Sequence, residues 1–104
     1  LIHGHGGLAV ACHIDRESFS IVSQLGFIPP GLPLDAVEVS PRLTVAEART
    51  AFGPFDPFPA VRFSDAHKPE EIGSVTTDFI VASPDVGEIR KALAGEAGRK
   101  VVPS

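Results

Sequence analysis

Asp65 and His67 stand two residues apart where an apolar run, residues 60–64, comes to its end. In an extended strand, residues i and i+2 project from the same face, so this carboxylate and this imidazole could both reach one ion. That spacing is metal-ligand chemistry. His13 gives a similar signal: it closes a second apolar run, 7–12, and is followed by Asp15 and Arg16. Two strands that end on His or Asp would bring those side chains to the C-terminal rim of a parallel sheet or barrel, where α/β folds gather their reactive groups.

Other residues of interest each carry a plainer reading as well. Arg16, beside His13, could clamp a phosphate with its planar fork of donors or form a surface ion pair with Asp15. Glu38, near the end of another strand, could orient a ligand histidine or pair with Arg16 or Arg62. Strand alternation turns Cys12 away from His13, so it is expected to be a small buried residue. His3 and His5 read as the end of a helix. Glu70 and Glu71 read as solvated residues of a helical turn.

The elements that must position these groups alternate. Strands are expected over residues 7–12, 34–40, 60–64 and 76–82, and a helix over 18–27 with Gly26 at its end. Residues 28–33, with three prolines and a glycine, are a loop. Thr44 and Glu47 have the spacing of a capping box, which opens a helix to about residue 52. Pro69 begins one helical turn. Ser83 is the expected N-cap, with Pro84 first in a helix that Gly95 stops. Strands alternating with helices predict a parallel sheet with right-handed crossovers.

The whole chain, residues 1–104, suits a single domain or domain fragment, with 43% hydrophobic residues and no apolar run long enough to span a membrane. A net charge of −4 and scattered basic residues give no electrostatic footprint for duplex nucleic acid. Seven Phe without Trp or Tyr point to core, Phe58 and Phe63 included, rather than to a base-stacking platform. A lone cysteine cannot form an internal disulfide, which favours a reducing, cytoplasmic setting. A chain that starts at Leu1 and contains no Met is expected to be an excised piece.

The segments 6–16, 34–39, 64–67 and 72–99 occur in an order that resembles the C-terminal half of the PHP (polymerase and histidinol phosphatase) metallohydrolases. The resemblance implies an α/β fold, the C-terminal half of a distorted seven-stranded (β/α) barrel with about four parallel strands. It also implies hydrolysis of phosphate esters by a cluster of divalent ions, zinc, manganese or iron, acting on a phosphorylated small molecule or nucleotide. His13 corresponds to the family's single-histidine motif, and Asp65 and His67 to its final Asp-x-His motif. On this reading His13, Asp65 and His67 are metal ligands and Asp65 and His67 are also catalytic; the substrate-binding role of Arg16 and the ligand-supporting role of Glu38 rest instead on their places beside the strand ends. The family's opening His-x-His is not matched, because His3 and His5 precede a strand instead of closing one. The remaining ligands would lie upstream, so this chain alone is expected to be inactive. A half-barrel with open edges would need its missing N-terminal half or a second copy of the chain. The alternative is a non-catalytic PHP-like module for association or regulation.

Overall fold

A computed structural model describes residues 1–15, 28–29, 31–52 and 57–104 of the chain. Three strands, β1 (Val10–Ala11), β2 (Ala36–Val39) and β3 (Ala60–Arg62), form a parallel sheet in the order β1-β2-β3. Val10 faces Ala36 across the first pair, and Val37 faces Ala60 across the second. β2 is central, and Ala36, Val37 and Val39 are fully buried. A small, β-branched strand of this kind suits a sheet covered on both sides.

Two clusters provide the cover. One gathers Ile14, Val37, Val39, Phe58 and Ala60 around Ala48 of α1 (Val45–Phe52). The other joins Ala36 and Val61 to Leu93 of α2 (Val86–Ala94). The alternation of strand side chains thus sends successive residues of β2 and β3 into different clusters. α1 begins with the anticipated capping box: the Thr44 hydroxyl accepts from the Glu47 N–H at 3.1 Å, and the Thr44 N–H donates to the Glu47 carboxylate at 3.4 Å.

The fold is mixed α/β, but the expected fourth parallel strand is absent from the parallel sheet. β4 (Thr77–Ile80) pairs antiparallel with β5 (Lys100–Pro103), a strand not anticipated from the sequence. Gly95 and Gly98 at φ 71° and 78°, with Ala97 at 49°, turn the chain after α2 so that β5 runs back along β4. The described residues form no closed barrel. Pro103 lacks an N–H and ends its strand, which hides β5 from a search for β-rich runs.

Other departures are local. The cap of α2 is Asp85, whose carboxylate accepts from the Glu88 N–H at 2.8 Å, while Ser83 donates its hydroxyl to Asp85. Asp85 accepts through a full negative charge at the positive end of the helix, so the N-cap falls two residues later than Ser83. Phe58 is buried as expected, but Phe63 and Cys12 are exposed, because β3 stops at Arg62 and β1 at Ala11, before the alternation reaches either residue. His3–His5 is a single 3-10 turn closed by Gly6. The expected helix over 18–27, and Arg16, lie outside the described residues. Among the described residues, no helix is long and apolar enough to cross a membrane.

The β4–α2–β5 unit is joined to the sheet through polar contacts at Arg62 and Thr77. The Thr77 hydroxyl accepts from the Arg62 N–H at 2.8 Å and donates to the Arg62 carbonyl at 2.7 Å, standing in for a strand ladder. Arg62 is buried and donates its guanidinium to the carbonyls of Pro41 and Ser104. These backbone contacts, which take the place of the alternative pairing of Arg62 with Glu38, bind the residue after β5 to the loop after β2.

Candidate functional site

Because the three strands run parallel, β1, β2 and β3 deliver the residues that follow them to one edge of the sheet. After β1, the Ile14 N–H donates to the Glu38 carbonyl at 2.9 Å, which extends the strand pairing past His13. Asp15 then accepts from the Ser40 N–H at 2.7 Å and from the Ser40 hydroxyl. Its carboxylate ties the end of the first strand to the end of the second.

The loops after β2 and β3 meet in an open cleft of about 430 Å³ lined by Pro41, Arg42, Ser64, Asp65, His67, Glu71 and Ser74. Asp65 and His67 reach one site by a route other than the extended strand anticipated for them. β3 ends at Arg62, and Asp65 takes a left-handed backbone at φ 49°. Aspartate is one of the few residues other than glycine that enters this region readily. The turn brings the His67 ring back onto the main chain, with Nδ1 at 2.7 Å from the Asp65 carbonyl. A carbonyl only accepts, so Nδ1 carries the hydrogen and the neutral ring keeps its lone pair on Nε2. An imidazole oriented through its other nitrogen in this way has the form of a metal ligand.

Glu71 holds the turn. Its carboxylate accepts from the His67 N–H at 2.8 Å, one helical turn back. Glu71 is the third residue of the 3-10 turn Pro69–Glu71, and its carboxylate reaches one residue past Lys68, the N-cap of that turn. The sequence held the signal, a Glu two residues after a helix-opening Pro, but the residue read as solvated. Arg42 and Ser74 have no comparable local signature and enter the site only through the fold.

His13 lies apart from the cleft lining. It is half-buried, and its Nδ1 is buried without a hydrogen-bond partner among the described residues. Glu38 is half-buried within β2, and no hydrogen bond connects it to His13. Among the described residues, no three His, Cys, Asp or Glu side chains are gathered at metal-binding distance. The donor chemistry nevertheless suits a divalent ion in part: Asp65 offers a carboxylate, His67 an oriented Nε2, and His13 a buried ring nitrogen with no other commitment.

Two further charged clusters have the character of structural fasteners. His3 Nε2 lies 2.7 Å from the Asp35 carboxylate, which also accepts from the Ala9 N–H at 2.8 Å. Burial alone would raise the pKa of Asp35, but these bonds and the charge of Arg90 outweigh it and hold the group below its usual value. In the second cluster, Arg99 grips Glu88 through two nitrogens at 2.9 and 3.1 Å, with Lys91 at 3.3 Å and the Ala82 N–H at 2.9 Å. The Arg99 bonds come first in bringing the Glu88 pKa from 4.5 to about 2, followed by the Ala82 N–H.

Residues 57–96 match the family model described as PHP-associated. Over this stretch, well under half of its length, the chain is similar to PHP-associated domains. No curated protein and no solved structure matches it. The PHP-associated segment runs from the approach to β3 through the cleft loop, β4 and α2, so it contains Asp65, His67, Glu71 and Ser74. His13, Glu38 and Arg42 lie before it.

Proposed function

We propose that this chain is the C-terminal part of a PHP-type barrel and contributes to the site of a metal-dependent phosphoesterase. The observation that carries the reading is that one PHP-associated segment holds both Asp65 and His67, in a cleft where His67 presents Nε2 with Nδ1 already committed. Asp65, His67 and His13 would hold zinc, manganese or iron, with further donors from the rest of the barrel. Bound divalent ions would supply Lewis acidity for a phosphoryl group and lower the pKa of water. The part played by this chain is positional: Glu71 fixes the turn, the Asp65 carbonyl sets the tautomer of His67, and Asp15 with Ser40 fixes the neighbouring strand end. Arg16, read from its place beside His13 as a phosphate clamp, is a further candidate for substrate binding. The substrate class is a phosphorylated small molecule or nucleotide, and the setting is cytoplasmic.

A non-catalytic association module is the second reading. It draws on β1, which has β2 as its only strand neighbour among the described residues and leaves Val10 41% exposed at the sheet edge. The missing half of the barrel or a second copy of the chain would cover that edge. Elemental analysis of the natural full-length protein separates the two. Bound divalent metal, reduced in an Asp65→Asn/His67→Ala double variant and accompanied by hydrolysis of phosphate monoesters, supports the enzyme. A protein that takes up no zinc, manganese or iron leaves the module as the better account.

A further inference from the structure

We propose that Arg42, on the loop after β2, is the residue of the cleft that anchors the phosphate group of the substrate, a placement that rests on the phosphoesterase reading above. Arg42 lines the same cleft as Asp65 and His67 but arrives from the neighbouring parallel strand. Adjacent strands lie roughly 5 Å apart, so a guanidinium on one loop and ligands on the next can contact the same small anion.

The backbone before Arg42 is held from both sides. Its own N–H donates to the Ser40 hydroxyl at 3.4 Å, and that hydroxyl in turn donates to Asp15. The Pro41 carbonyl accepts from the buried Arg62 guanidinium at 3.2 Å. An anchor on so constrained a loop loses less freedom when it binds.

Its side chain is also uncommitted. Arg62 serves backbone carbonyls, Arg90 donates to the carbonyls of Gly6 and Gly7, and Arg99 and Lys91 are engaged by Glu88. Arg42 is the only cation among the described residues that lines the cleft, and no hydrogen bond or ion pair engages its guanidinium there. Asp65 and Glu71 by themselves would repel a phosphate, and a nearby guanidinium offsets that repulsion while offering paired N–H donors that match phosphate geometry. Ser64 and Ser74, on the same lining, add hydroxyl donors that a phosphate oxygen can accept.

The test uses the natural full-length protein loaded with divalent metal, together with Arg42→Ala, Arg42→Lys and, as a control, Arg49→Ala on the exposed face of α1. Two readouts are taken: steady-state hydrolysis of p-nitrophenyl phosphate, and binding of inorganic phosphate followed by NMR at the Ser64 and Ser74 amides. Arg42→Ala is expected to raise KM and weaken phosphate binding by roughly ten- to hundredfold, the weight of a hydrogen bond to a charged partner, with kcat nearly unchanged. Arg42→Lys is expected to recover part of the loss and Arg49→Ala to behave as wild type. If wild type hydrolyses the ester and Arg42→Ala leaves KM and phosphate binding unchanged, Arg42 is a solvated cation and the proposal falls alone. If wild type hydrolyses nothing yet binds phosphate through Arg42, the anchor stands and the phosphoesterase reading falls. Absence of both binding and hydrolysis removes both.

Discussion

The cleft at the end of the parallel sheet and the Glu88 network beside α2 are built from the same kinds of side chain, carboxylates and guanidinium groups, yet they use them in opposite ways. At Glu88 each carboxylate oxygen is engaged, by Arg99, Lys91 and the Ala82 N–H, and the pKa falls to about 2. In the cleft the partners serve to orient groups: Glu71 holds a turn, the Asp65 carbonyl sets the His67 tautomer, and Arg42 keeps its guanidinium unpaired among the described residues. The large pKa shift at Glu88 thus belongs to a fastener of the fold.

That contrast can be tested by substitutions that damage one region and spare the other. The largest effect is expected from Asp65→Asn in the full-length protein, which keeps a residue tolerant of the left-handed backbone while removing the charge. Phosphomonoester turnover should fall on the order of a hundredfold or more, with the melting temperature nearly unchanged. Equal turnover in variant and wild type would remove Asp65 from the site. Thr77→Val should act in the reverse sense. Deleting the hydroxyl that serves both the N–H and the carbonyl of Arg62 is expected to cost about 1–3 kcal/mol in denaturant unfolding, with the metal content intact.

Glu88→Gln should lower the melting temperature by about 5 °C at neutral pH without altering turnover. Its pH dependence sharpens the comparison. Because the folded pKa lies below the ordinary 4.5, the contribution of Glu88 is complete above about 4.5 and is lost as the pH falls toward 2. The difference in stability between wild type and Glu88→Gln should therefore shrink across that window in acid titrations followed by circular dichroism. A gap that stayed constant down to pH 2 would mean that Glu88 is not held ionised by Arg99. The smallest effect is expected at the end of α2, where Gly95→Ala places a side chain at φ 71° and should cost about 1 kcal/mol in the same unfolding measurement.

Several parts of this arrangement were legible in the residues. The Thr44/Glu47 capping box, the glycine stop at Gly95 and the presence of strand β2 follow from local rules, because each depends on groups within one turn or one strand. The Asp65/His67 pair was legible as a pair, while the reason it could act as one was not. An extended backbone predicts two side chains on one face, but the chain turns left-handed at Asp65, and His67 is oriented by a main-chain carbonyl.

What the sequence determined by itself is therefore the set of parallel strand ends and the residue types placed after them, since apolar runs and caps depend on near neighbours. The tertiary structure decided which of those ends share a cleft. β4 left the parallel sheet to pair with β5, Glu71 turned from a solvated residue into the brace of His67, and Arg42 came to line the same cleft as Asp65. Each of these outcomes depends on contacts between distant segments or on a single backbone torsion, and neither leaves a periodic trace in the order of residues.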